Sequence, residues 1–205
     1  MNNGSGLRVV LWLSGCDHKC KGCQNPQTWD ANSGILFDTK AKEELFRELD
    51  KDYISGLTLT GGDPLHPSNL DGALDIVTEF NKRYKTTQDM VSDKNDNHHE
   101  IRLSMPEKTI WLYTGFTWEE LTNNRNKLAM IDYLICEEHQ VERFTKEEYT
   151  SWLRFNLLRE IDVLVEGRYI DSQRNISLKW RGSSNQRVIN TKESLKQNKI
   201  ILHCN

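Results

Sequence analysis

No apolar run in the 205-residue chain approaches the roughly 20 residues that a helix needs to cross a bilayer. There is no basic excess either: 27 Lys and Arg stand against 30 Asp and Glu, a net charge of -3. That balance argues against a surface built for nucleic acid or for anionic lipid, so neither is expected as a partner. The cysteines lack the even, dispersed pattern of a secreted disulfide scaffold, because there are five and three of them cluster. A reducing compartment, the cytoplasm, with metal chemistry fits that usage better. No internal repeat recurs at a fixed period, which excludes solenoid and propeller architectures. With 37% hydrophobic residues, the chain reads as one globular domain over 1–205 with a sizeable core.

A lipoprotein signal is not expected either. Leu13-Ser14-Gly15-Cys16 has the look of a lipoprotein processing box. The apolar stretch before it, Val9 to Leu13, is shorter than the roughly 7–15 residues of a signal core, and only Arg8 flanks it. Residues 7–13 read instead as a first strand, buried on both faces.

The rest of the chain alternates strands and helices. A helix is expected from Asp38 to Lys51, with Leu45, Phe46 and Leu49 on one face. Strand two spans Gly56–Thr60 and stops at Gly61-Gly62-Asp63-Pro64. A helix with Ser68 as N-cap runs to Lys82. Strand three is Thr109–Tyr113, and Thr117-Trp118-Glu119-Glu120 is a capping box. Strand four is expected at Ile131–Cys136, a helix over 137–158, strand five at Ile161–Val165 and a last short strand at Lys199–His203. Such alternation predicts an α/β protein with a parallel sheet. Residues 84–104 and 137–158 read as surface insertions; His98, His99 and Glu100 in the first are solvated loop residues.

Cys16, Cys20 and Cys23 are spaced C-x3-C-x2-C on the loop after strand one. Thiolates that close can turn toward one metal centre, and soft sulfur ligands select zinc, copper(I) or iron–sulfur clusters. Three thiolates leave one iron of a four-iron cluster open to a ligand. The competing reading is a zinc knot with His18, Cys136 or His203 as fourth ligand, although zinc signatures usually pair two dyads. Two glycines at the end of strand two admit close approach of a ligand to the backbone, and Asp63 could accept from an ammonium group. Gly-Asp-Pro is also an ordinary turn. Cys136 and Cys204 read as small buried hydrophobes. Glu166 at the end of strand five reads either as a site residue or as a cap on a nearby turn.

Both loops leave adjacent parallel strands at one sheet edge. In that combination the sequence resembles the radical S-adenosylmethionine superfamily, and within it the activases of anaerobic ribonucleoside-triphosphate reductase. The resemblance is carried by Asn3-Gly4-Ser5-Gly6, by Ser14 to Asn25, by Thr28-Trp29 and by Gly61 to Pro67. It continues through Ile110 to Gly115, Asp162 to Gly167 and Trp180 to Gln186, in family order. It implies an incomplete parallel β/α barrel, open on one side. It implies Cys16, Cys20 and Cys23 as ligands of a [4Fe-4S] cluster, with no catalytic side chain beyond cluster and cofactor. Gly22, Cys23, Gln24 and Gly62 would contact S-adenosylmethionine, and Asp63 its ammonium group. The product would be a glycyl radical on the large subunit of the reductase. No second cysteine cluster is available for an electron relay, so a donor such as a flavodoxin-type protein is implied. The chain departs from the resemblance in two ways: Gln24 stands where many of these activases have Tyr, and the usual short leader before Asn3 is missing. Trp29 or Tyr113 is a substitute to pack the adenine. Activation of another glycyl radical enzyme, such as pyruvate formate-lyase, is the alternative within the superfamily; a zinc protein or a simple electron carrier is the alternative outside it.

Overall fold

Five strands form one sheet in the order β1-β2-β3-β4-β5: Arg8–Leu13, Gly56–Gly61, Thr109–Tyr113, Val163–Glu166 and Arg187–Asn190. The computed structural model describes residues 3–85, 107–123, 125–138 and 144–204. The first four strands run parallel, and β5 returns antiparallel to β4. Strands that are neighbours in sequence and in space need crossovers, and right-handed crossovers in that order place every helix on the same face.

The core shows this directly. One row runs across the sheet from Leu11 through Leu59, Leu112 and Leu164 to Ile189. These residues pack with Leu45 and Phe46 of α1 (Thr39–Leu49), Val77 and Phe80 of α2 (Leu70–Tyr84), and Trp118 and Leu121 of α3 (Trp118–Thr122). Leu128 and Ile131 of α4 (Arg125–Glu138) and Leu153 and Leu157 of α5 (Lys146–Glu160) complete that layer. Alternate residues point the other way, as the two-residue strand period requires. Trp111, Val163, Val165 and Val188 form a smaller cluster there with Trp180 and Cys204, and among the described residues no helix residue joins it. The sheet therefore has one helix-covered face and one face left open to loops.

Arg8 closes the lower end of that open face. Its guanidinium donates to Thr58 Oγ1 at 2.8 Å, Leu57 O at 2.6 Å, Thr109 Oγ1 at 3.0 Å and Thr109 O. It also lies 5.6 Å from the Trp111 ring. Burial pulls its pKa down to about 10. Thr58 donates in turn to Asn3 O at 2.6 Å, and Gly4, at φ +116°, would put a β-carbon 2.8 Å from Trp111.

Several expectations change. β1 is an edge strand and only half-buried, with Trp12 52% exposed, because nothing among the described residues pairs with its outer side. Ile131–Cys136 lies within α4, not in a strand: Leu128 and Ile131 bury at helical spacing, and a short, mostly apolar stretch does not by itself separate strand from helix. The last strand at Lys199–His203 reduces to a bridge between Ile189 and Leu202. Before it lie β5 and α6 (Thr191–Gln197), neither expected. The N-cap of α2 is Asn69 and not Ser68. The helix expected over 137–158 starts at Lys146, behind a Thr145 capping box, and runs through the core against α2. Residues 86–106, with His98, His99 and Glu100, lie outside the described residues, as does the side chain of Cys136.

Leu112→Ala, on the central strand between Leu59 and Leu164, is expected to destabilise the fold by about 2–5 kcal/mol in a denaturant titration. Ile35→Ala, at a position 98% exposed, should change stability by less than about 0.5 kcal/mol in the same assay.

Candidate metal centre

The cysteine loop leaves β1 and is tied back to its own far end. The Gly15 amide donates to Thr28 O at 2.8 Å and the Cys16 amide to Trp29 O at 3.0 Å. A short 3-10 turn at Pro26–Thr28, with Trp29 as its C-cap, supplies those acceptors, with proline in its first turn where an amide would be unused. Inside the loop, Lys19 and Gly22 take left-handed backbone angles, and Cys23 N donates to Cys20 O at 3.1 Å.

The turn after β2 locks onto this loop. Gly62 N donates to Leu13 O at 2.7 Å and Asp63 N to Gly15 O at 2.8 Å. Asn69 at the start of α2 donates to Ser14 O and Asp63 O, both at 2.9 Å. A β-carbon on Gly62 would stand 2.5 Å from Gly15 O and 2.8 Å from Thr28 O. Only glycine fits where the two loops touch.

Cys16, Cys20 and Cys23 are half-buried free thiols. Burial pushes the Cys16 and Cys20 thiols above their ordinary range. Backbone amides oppose this at both sulfurs, from His18 and Lys19 at Cys16 and from Tyr169 at Cys20. The Asn25 amide lies 3.4 Å from Cys23 Sγ. Amides aimed at sulfur are what a coordinated thiolate uses, and a bound cation removes the thiol proton outright. The three side chains therefore fit a metal–sulfur group. Among the described residues no three His, Cys, Asp or Glu side chains gather round a single-ion position. A zinc knot holds its thiolates about 2.3 Å from one ion, whereas thiolates on separate irons of a cluster stand further apart. Two of the three fourth-ligand candidates are engaged elsewhere, and the side chain of Cys136 lies outside the described residues. His18 faces Asp63, and His203 packs 5.1 Å from the Trp111 ring on the open face.

A cavity of about 250 Å³ opens beside Cys23 on the open face. Gln24, Trp12, Thr60, Tyr113 and Arg181 line it with Cys23. Burial pushes the Tyr113 hydroxyl well above its ordinary range. Trp29 lies on the other side of the loop, near Asp17 and Lys19. Neither Gly62 nor Asp63 is in the cavity wall; Asp63 lines a separate, smaller cavity with His18 and Arg154.

Asp63 has partners that the sequence did not foresee. It is 1% exposed, and its carboxylate accepts from Leu65 N, Thr114 Oγ1, Gly115 N and His18 Nε2 at 2.8–3.0 Å. Arg154 of α5 braces the same turn, donating to Leu65 O at 2.9 Å and lying 4.3 Å from the Phe116 ring.

Glu166 is buried and accepts from Trp118 N at 3.0 Å and from Arg187, so it caps α3. Burial pushes its carboxyl up, against the pull of Arg187. The Arg181–Arg187 stretch folds on itself: Arg181 donates to Gln186 O at 3.0 Å, and Gln186 Oε1 accepts from Gly182 N at 2.9 Å. Tyr169 and Asp171, on the loop after β4, flank the cysteine loop without any motif to announce them; a β-carbon on Gly22 would touch Asp171. Thr114 and Gly115 were legible as the end of strand three, at the same edge as the other two loops.

The chain matches the family described as a 4Fe-4S single cluster domain over residues 2–94 and 96–189, which sets its class as an iron–sulfur protein. It is 35% identical to the anaerobic ribonucleoside-triphosphate reductase-activating protein of Enterobacteria phage T4, over 91% of this chain and 85% of that one. Proteins of the same name from Haemophilus influenzae and Escherichia coli K12 are 33% and 32% identical, over 90% and 91% of this chain and 88% and 90% of theirs. The chain belongs to the family of anaerobic ribonucleoside-triphosphate reductase-activating proteins. No solved structure matches it.

Gly62→Ala should force the two loops apart. The expected cost is about 1–3 kcal/mol in chemical denaturation of the metal-free protein, with less iron retained per chain after reconstitution.

Proposed function

We propose that this protein activates anaerobic ribonucleoside-triphosphate reductase by placing a glycyl radical on its large subunit, as a radical S-adenosylmethionine enzyme. The observation that carries the reading is the meeting of two loops. The C-x3-C-x2-C loop after β1 and the Gly61-Gly62 turn after β2 are hydrogen-bonded to each other, beside a cavity walled by Cys23 and Gln24. The names of its relatives supply the partner.

In this reading Cys16, Cys20 and Cys23 hold a [4Fe-4S] cluster with one iron left for S-adenosylmethionine. When bound, the reduced cluster and S-adenosylmethionine supply one-electron cleavage of the sulfonium, and hydrogen abstraction from a glycine of the reductase follows. The chain's own share is placement. The Gly62 turn lets the two loops come close, and Gly22 and Gln24 flank the last thiol. Tyr113 offers an aromatic surface in the cavity, whereas Trp29 lies on the far side of the loop. The amides of His18, Lys19, Tyr169 and Asn25 stabilise the thiolates. The open face is the side from which a loop of the reductase would enter. The sheet, covered by helices on one face only, is in this reading the incomplete barrel of the superfamily, and 1–205 is a single domain. No second cysteine cluster exists in the sequence, so the electron comes from an external donor of the flavodoxin type. The cytoplasm is the compartment that fits the free thiols; among the described residues no helix is long and apolar enough to cross a membrane.

Anaerobic reconstitution with iron and sulfide should give an absorption band at roughly 400 nm, and reductant plus S-adenosylmethionine should yield 5′-deoxyadenosine. Cys20→Ala should abolish both. Mixing with the reductase should produce a glycyl radical signal in electron paramagnetic resonance. A band without 5′-deoxyadenosine would make the protein a simple electron carrier. A radical formed only on pyruvate formate-lyase would reassign the partner.

A further inference from the structure

We propose that Asp63 and His18 form a positioning pair that shapes the cysteine loop before any cluster binds, and that Asp63 does not serve as the contact for a ligand's ammonium group. The inference rests on the reading of Cys16, Cys20 and Cys23 as cluster ligands. It does not require that S-adenosylmethionine be the ligand of that cluster.

A carboxylate has about four acceptor sites. At Asp63 the protein fills them. Oδ1 accepts from Leu65 N at 2.8 Å and Thr114 Oγ1 at 2.9 Å. Oδ2 lies 2.9 Å from Thr114 Oγ1, 3.0 Å from Gly115 N and 2.8 Å from His18 Nε2. Because the carboxylate accepts, the ring nitrogen of His18 is the donor. With the residue 1% exposed, an incoming ammonium would have to break one of these bonds and open a packed turn. An internally saturated buried group rigidifies what it joins.

What it joins are three loops. Leu65 belongs to the turn after β2, Thr114 and Gly115 to the turn after β3, and His18 to the cysteine loop, between Cys16 and Cys20. The His18 side chain is 8% exposed and packs edge-on to Phe116, with ring centroids 4.6 Å apart. A β-carbon on Gly115 would lie 2.3 Å from the His18 ring, so the glycine is the seat on which the imidazole rests. Position and direction of the x3 segment are therefore set by contacts made entirely within the protein. His18 acts on the thiolates through the backbone it holds, whose amides at His18 and Lys19 face Cys16.

The test compares His18→Ala, His18→Gln, Gly115→Ala and Asp63→Asn with the wild type. Amide hydrogen exchange over residues 15–23 is read in metal-free protein, and iron retained after reconstitution and desalting is read separately. His18→Ala and Gly115→Ala are expected to speed exchange of the loop at least tenfold and to lower retained iron. His18→Gln, which keeps an N–H donor, should recover much of both. Asp63→Asn should fall with His18→Ala, and the iron-loaded fraction of each variant should bind S-adenosylmethionine within about threefold of wild type. Wild-type exchange in His18→Ala would overturn the proposal. So would an Asp63→Asn protein with normal exchange and iron whose affinity for S-adenosylmethionine drops more than tenfold, since that marks Asp63 as a ligand contact. Should Asp63→Asn fail to fold, His18→Ala and Gly115→Ala decide, because both leave the carboxylate in place. If the wild type holds iron and does not bind S-adenosylmethionine, the proposed activity fails, while loop exchange still reads the pair.

Discussion

β1 and β2 pair in parallel from Arg8 opposite Gly56 to Leu13 opposite Gly61, and both then leave the sheet at the same edge. The site depends on this pairing. It brings Gly62 N within 2.7 Å of Leu13 O and Asp63 N within 2.8 Å of Gly15 O, so the glycine turn becomes the floor on which the cysteine loop is laid. β3 ends one strand further on at the same edge and sends Thr114 and Gly115 against the same carboxylate. Strand pairing thus does for the site what a metal ion often does in smaller proteins: it collects residues that are far apart in sequence and holds them before a ligand arrives.

The two faces of the sheet divide the labour. The helix-covered face carries the apolar row from Leu11 to Ile189 and most of the buried area, and with it most of the hydrophobic stabilisation. The open face carries polar groups that are satisfied locally. Arg8 saturates carbonyls and hydroxyls at its lower end, and the cavity beside Cys23 lies above it. Glu166 with Arg187, on the helix side by strand alternation, holds the start of α3. Because the open side of the sheet carries no helical layer among the described residues, the cavity is reached without passing one.

Some of this was legible residue by residue. Leu45, Phe46 and Leu49 recur on one helical face and bury as a set, and the Thr117 capping box forms. Gly61-Gly62 reads as a strand end because two glycines tolerate angles and approaches that other residues do not. Where reading failed, context had overridden pattern. Leu7 to Leu13 looks like a doubly buried strand, yet β1 is at the sheet edge and Trp12 is half-exposed. Ile131 to Cys136 has the composition of a strand, yet it continues a helix that starts at Arg125. β5 is four residues long and antiparallel, too short to show a period.

The cysteine loop separates the two kinds of information most sharply. Sequence alone determined that three thiols share one loop, that two glycines end the next strand, and that no second thiol cluster exists, because these are matters of residue type and spacing. Tertiary structure alone decided which way Asp63 faces. A carboxylate after a glycine pair could serve a ligand or the protein, and spacing is the same in both cases. Spacing cannot show that Thr114, Gly115 and His18, 45 to 52 residues away in the chain, reach this carboxylate, because only the folded sheet edge brings them there.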